Sequence, residues 1–207
     1  MKHIAPLLIL FILTFCSIGC KKGENDPLSL SSRKNRLEGI WTLVSGNTLD
    51  RYYNEGTGDT LDIVSNVENG LKSTYVISIG PAGTDTIAPS LTYAYQYELS
   101  FDKNGNFGSN EYSSYDTLLR QGYWYFTGKN KQLDLKNKEA IDIVISEEQD
   151  GTLDTFEGLA MPADLTYYID RLSKDELTLY VDHIINDNSG DFWRLTHELN
   201  FIKGGYE

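Results

Sequence analysis

Two histidines, His183 and His197, flank the turn cluster NDNSGD (Asn186 to Asp191) at equal distances from Gly190. On antiparallel strands in even register, imidazoles so placed lie directly opposite, with Cβ atoms about 5 Å apart. Two imidazoles are half of a zinc site, which still wants a third ligand, and a slip of one residue would move them apart. A metal site, a polar spot within a ligand cavity and ordinary hydrogen-bonded histidines are the three readings of this pair. The second constellation is aromatic: Tyr93, Tyr95 and Tyr97 in YAYQYELSF, to which Trp124, Tyr167 and Trp193 are joined by their place on similar stretches. Inward tyrosines carry hydroxyls that need partners, from a ligand or from a polar core network. These eight residues are the candidate ligand-binding set, and a packed aromatic core is the competing reading.

Other chemistry finds little support. The chain has no Gly-X-Ser-X-Gly, no phosphate-cradling glycine loop and no His-Glu-X-X-His. Asp102, Asn104 and Asn106 in DKNGN stand at calcium-loop spacing, but Gly105 falls in the wrong place and no Glu closes the loop, so a hairpin turn is expected. The acidic run SEEQDGTLDTFEG, with Glu147, Glu148, Asp150, Asp154 and Glu157, reads as a solvated loop before it reads as a weak cation site. Without a recognisable nucleophile–base pair, no catalytic residue, enzyme activity or cofactor is expected. A net charge of -12 makes nucleic acid a poor partner, because phosphate backbones repel such a chain.

These residues need a scaffold, and the hydrophobic period supplies it. Tyr93, Tyr95, Tyr97, Leu99 and Phe101 alternate with Ala94, Gln96, Glu98 and Ser100. Leu177, Leu179 and Val181 alternate likewise, as do Trp193, Leu195, Leu199 and Phe201, then Ile141, Ile143 and Ile145, and Tyr75, Ile77 and Ile79. A period of two, rich in aromatic and β-branched residues, marks half-buried antiparallel strands. The turn clusters DKNGN, TGKNK, SKDE and NDNSGD punctuate them. An all-β chain of nine or ten strands in sequential hairpins points to an antiparallel up-and-down barrel of about 8–10 strands, which removes sheet edges by closing. Two polar segments, Asn47 to Gly70 and Glu147 to Ala163, are expected as excursions at the barrel ends, with room for a short helix in either.

The front of the chain is different. Lys2 precedes a nearly unbroken apolar run, Ile4 to Phe15, of about 12 residues, which suits the core of a secretory signal and falls short of the ~20 that span a bilayer. A transmembrane anchor and a plain secretory signal are the alternatives. The segment SIGC, Ser17 to Cys20, resembles the lipobox of bacterial lipoproteins: Gly19 and Cys20 match, Ile18 is acceptable, and Ser17 stands where an aliphatic residue is usual. The resemblance implies removal of residues 1–19 with Cys16, acylation of Cys20, and a lipid bilayer as the partner of that cysteine. The 188 residues left would then hold no second thiol for a disulfide, so an apolar core must stabilise them. Lys21 to Arg36 is polar and aperiodic; with Cys20 it reads as a tether (20–36) of ~16 residues reaching about 20–24 Å.

The ordered series LEGIWTLVS, LSFDKNGNF, GYWYFTGKNKQLDL and YYIDRLSKDELTLYV resembles the lipocalin-like lipoproteins of Gram-negative bacteria over most of Leu37 to Lys203. The resemblance implies a lipocalin-like barrel domain over 37–207. It also implies that Gly39 and Trp41 close one barrel end, with Trp41 stacked on a basic residue near the last strand, Lys203 in preference to Arg194. Together with the aromatic inward faces it implies a barrel that binds a small apolar or amphipathic ligand, and the lack of an Asp directly after Cys20 points to anchoring at the outer membrane, on its periplasmic or surface-exposed face. A structural or interaction module of an envelope protein complex is the alternative.

Overall fold

The computed structural model describes residues 32–80, 85–88, 90–127, 140–150, 164–186 and 190–204. A short helix, α1 (Arg33–Leu37), leads into β1 (Gly39–Tyr53), β2 (Thr60–Glu68), β3 (Leu71–Ile79), β4 (Asp85–Ile87) and β5 (Leu91–Phe101). Then follow β6 (Asn106–Ser113), β7 (Thr117–Phe126), β8 (Ala140–Asp150), β9 (Asp164–Leu172), β10 (Glu176–Asn186) and β11 (Phe192–Lys203). The alternation expected along these segments gives each strand one buried face, and antiparallel neighbours carry that face around until β11 pairs with β1. Ten strands form the wall of this closed up-and-down barrel, and the three-residue β4 hangs on the far stretch of β3.

The wall is not uniform. Strand β1 changes partner along its length: Gly39 to Thr42 pair with β5, whereas Ser45 to Tyr53 pair with β2. The β2–β3 hairpin is thus wedged between β1 and β5, and β3 rejoins β5 through Leu71 to Thr74. A β-bulge between Leu43 and Ser45 marks the switch, and the hairpin tip is tied to it by Asn69 N–H donating to Val44 O at 3.3 Å. That tip is the dipeptide Asn69-Gly70, with φ of 52° and 77°, the left-handed pair demanded by a two-residue turn whose twist matches the strands. Eight strands therefore ring the Gly39 end and ten ring the Tyr53 end, and a barrel widens as strands are added.

The narrow end is apolar and sealed. Trp41, Leu43, Leu99, Phe101, Phe107, Trp124, Ile141, Leu177, Leu199 and Phe201 fill it, all nearly inaccessible to solvent. Helix α1, capped by Ser32, whose hydroxyl accepts from Asn35 N–H at 3.2 Å, lies over it. Trp41 Nε1 donates to Leu37 O at 2.7 Å, and Lys203 Nζ donates to Arg36 O at 2.8 Å while standing 5.0 Å from the Trp41 ring centroid. Lys203, not Arg194, faces Trp41 in the ladder. Gly39 has φ of 129°, and a Cβ there would meet Lys203 Cε at 2.7 Å, so the Gly-X-Trp pattern expresses both a backbone need and a close approach.

Several expectations change. Asn47 to Gly70 is not an excursion: it completes β1, forms β2 and turns into β3. Glu147 to Asp150 continue β8, while residues 151–163 of the other polar segment lie outside the described residues. Tyr75, Ile77 and Ile79 do share a face, but their neighbours Lys72, Thr74 and Val76 face the interior across from Val67, Ser65 and Ile63, which leaves Tyr75 exposed on the outside. Arg33 to Arg36, the end of the expected tether (20–36), stand in α1, with Leu37 buried and Arg36 O accepting from Lys203, while residues 20–31 lie outside the described residues. The turns DKNGN and SKDE form as expected: Asp102 Oδ1 accepts from Asn104 and Asn106 N–H at 2.7 and 2.8 Å, and Ser173 Oγ accepts from Glu176 N–H at 3.0 Å. Gly128 to Lys131 of TGKNK, like Cys16 and Cys20, lie outside the described residues.

Candidate functional site

The inward faces of β5, β6, β7 and β8 become polar above the sealed end. On β5 the series Tyr93, Tyr95, Tyr97 continues the parity of Leu99 and Phe101, so all three rings point inward as the alternation requires. Opposite them β6 presents Phe107, Ser109 and Glu111, and β7 presents Arg120 one step from Gly122 and two from Trp124 on the same face. On β8 a bulge beside Gly122 brings Glu148 level with Arg120. Tyr167, from β9, is 6 % exposed.

These groups form one network. Tyr95 Oη donates to Glu111 Oε1 at 2.9 Å. Arg120 Nε donates to Glu148 Oε2 at 2.7 Å, and its Nη1 lies 3.8 Å from Glu111 Oε2. The Arg120 side chain is 7 % exposed, against 25 % for Glu111 and 41 % for Glu148. Burial is the main cause that pushes the phenols of Tyr95 and Tyr97 well up, with the Glu111 carboxylate adding to it. Burial likewise pushes Tyr167 up to about 12, although the Arg120 charge acts in the opposite direction. Lys72, inward on β3, sets its Nζ 4.6 Å from the Tyr95 ring centroid. Tyr93 meets Tyr95 and Tyr115 edge-on at 6.5 and 5.3 Å.

A titration follows from these three phenols. Their folded pKa values exceed the unfolded value of about 10, so the stability they contribute is complete below that pH and is lost as pH rises through the folded values. Tyrosinate absorbance should therefore show three of the phenols ionising only together with alkaline unfolding. Three late phenols that ionise while the far-ultraviolet dichroism stays native would contradict this burial.

On the other side of the wide half, β10 and β11 pair Asn186 with Phe192, which places His183 opposite Leu195 and His197 opposite Val181. The expected direct opposition of the imidazoles is thus corrected to a diagonal relation on one face, two residues out of step. Aromatic pairing on β1 accompanies this register, for Phe192 stacks on Tyr53 at 5.1 Å and Trp193 leans on Tyr52 at 4.8 Å. His197 is buried with Nε2 2.6 Å from Asp50 Oδ1, and its Nδ1 has no hydrogen-bond partner among the described residues. No group of three His, Cys, Asp or Glu side chains suited to a metal occurs among the described residues.

The candidate set accordingly divides. Tyr95, Tyr97 and Tyr167 lie within the field of Glu111, the latter two also of Arg120, and Tyr93 joins them only edge-on through Tyr95. Trp193, His183 and His197 line β10 and β11. Trp124 belongs to the sealed end, where it packs edge-on against Phe101 at 5.6 Å and Phe126 at 5.5 Å and donates Nε1–H to Asp102 O at 3.1 Å. Arg120, Glu111 and Glu148 were missed by sequence reasoning, although Arg120 shares the parity of Trp124 in LLRQGYWYF and Glu111 that of Phe107 in FGSNEYS.

No protein-family model matches the chain, and no curated protein matches it. Among solved structures, "Crystal Structure of Rv2717c from M. tuberculosis" is similar over 86 % of this chain and 100 % of that one, at 13 % identity and a TM-score of 0.28, a distance at which the likeness carries no argument.

Proposed function

We propose that this protein is a lipid-anchored envelope lipoprotein whose barrel binds a small amphipathic molecule in its wide half. The carrying observation is the asymmetry of the interior: the eight-stranded end is packed with apolar side chains, whereas the ten-stranded end turns tyrosine rings, Arg120, Glu111, Lys72 and the His197–Asp50 pair inward. A barrel serving only as a rigid scaffold needs no such interior, because buried polar groups cost free energy unless they are matched. Apolar ring faces suit the body of a ligand, and the charged and hydroxyl groups between them suit its head. The lipobox-like SIGC segment supports attachment through Cys20, with the outer membrane as the site of anchoring.

Native mass spectrometry of the protein taken from its own membrane tests the reading. A copurifying small molecule, released on denaturation, is the expected result. A copurifying protein in its place would favour the interaction module. Mass analysis of the mature N-terminus checks the anchor, with a diacylated or triacylated Cys20 expected and an unmodified first residue other than Cys20 as the contrary outcome.

A further inference from the structure

The Arg120 side chain is better than nine-tenths buried, yet it uses little of its hydrogen-bonding capacity inside the barrel. A guanidinium carries five N–H donors. Nε–H is taken by Glu148, and Nη1 lies 3.8 Å from Glu111 Oε2, beyond hydrogen-bond reach. Glu111 is itself engaged by the Tyr95 hydroxyl. Among the described residues no hydrogen bond reaches the Nη edge of Arg120, and no nitrogen on that edge is sealed from solvent without a partner, so this edge stays accessible to an incoming acceptor. A planar oxyanion accepting two parallel N–H bonds suits such an edge.

We propose that the Nη edge of Arg120 is the anchor for the head of the ligand, and that this head is a carboxylate. The inference rests on the ligand-binding reading above and narrows it to monocarboxylic acids with an apolar tail. Glu148 then has a definite part. Its carboxylate is the more exposed partner of the pair, 41 % against 7 %, so it moves toward solvent at little cost. It competes electrostatically with an incoming anion while the site is empty, and it keeps the guanidinium oriented along the barrel wall. Tyr97 and Tyr167, each electrostatically coupled to Arg120 and held neutral by burial, leave the head-binding region without added negative charge. Lys72 over the Tyr95 ring adds a second positive group on the same side of the barrel.

Isothermal titration of the full chain in nanodiscs of neutral lipid, with empty nanodiscs as the blank, separates the possibilities. The probes are octanoate, octanol and octylammonium, which share one tail. Octanoate should bind about tenfold or more tightly than octanol, and Arg120→Gln should erase that preference. Glu148→Gln should raise octanoate affinity several-fold, a gain that a misfolded variant could not produce, which keeps the proposal testable if Arg120→Gln fails to fold. Equal binding of octanoate and octanol to the unaltered protein, or a preference for octylammonium, would overturn the carboxylate anchor and leave amphipathic ligand binding standing. Failure of all three probes to bind would overturn both.

Discussion

Trp41→Ala should lower the stability of the fold by roughly 3–5 kcal/mol, the usual cost of deleting a buried aromatic ring. Trp41 is fully buried, and three contacts depend on it. Its indole N–H satisfies Leu37 O, its ring face receives Lys203, and its bulk fills the base of the eight-stranded end. For a domain of this size the melting temperature should drop by about 10 °C. Lys203→Met should cost less, about 1–2 kcal/mol, because it removes the cation over the ring and the bond to Arg36 O but retains most of the stem's packing. Thermal unfolding followed by circular dichroism checks both. A Trp41→Ala protein melting at the wild-type temperature would mean that the narrow end is not closed by this residue.

The second large effect is expected at Gly122. A Cβ built there falls 1.9 Å from Val144 O, 2.9 Å from Val144 C and 3.0 Å from Ile145 Cα. All three are backbone atoms of β8 at the bulge, so no side-chain rotation relieves the overlap. Gly122→Ala should therefore displace β8 from β7 and cost about 3 kcal/mol or more, at the upper end of overpacking changes. Because the same bulge brings Glu148 to Arg120, the variant should also shift octanoate affinity in the direction of Glu148→Gln if it folds at all. Gly56→Ala is the control: its Cβ would meet only Asn54 Oδ1, at 3.4 Å, and denaturant midpoints should hardly differ from wild type.

The narrow half of the barrel was legible in the sequence because its inward residues are apolar. Leu99, Phe101, Leu177, Leu179, Leu199 and Phe201 alternate with polar residues, and the hydrophobic period exposes them directly. The wide half was harder for the opposite reason. The inward series Thr48, Asp50, Ser65 and Thr74 is polar, so β2 and the second half of β1 read as a loop, although Asn69-Gly70 carries a strong hairpin pattern. In β3 the apolar residues Tyr75 and Ile77 took the outer face, which inverted the expected orientation there. Arg120 and Glu111 were hidden for a related reason: charged residues on a strand are first assigned to water, and only their parity with Trp124 and Phe107 betrays that they point inward. Register between His183 and His197 was beyond a single sequence, since it is settled by pairing of Phe192 and Trp193 with a strand about 140 residues earlier.

That long reach has a kinetic meaning. Strand β1 is the first to be synthesised, yet its longest seam, Trp41 to Tyr53, is with β11, the last. A nascent chain can zip β5 through β10 as successive hairpins, but it leaves β1 with an unfilled edge until Phe192 to Lys203 arrive. Closing a loop of that size is an entropically slow event, typical of folds dominated by distant contacts. The seam thus acts as a timer: until β11 docks, the chain stays open along one side, and completion of the barrel is tied to the emergence of its final strand.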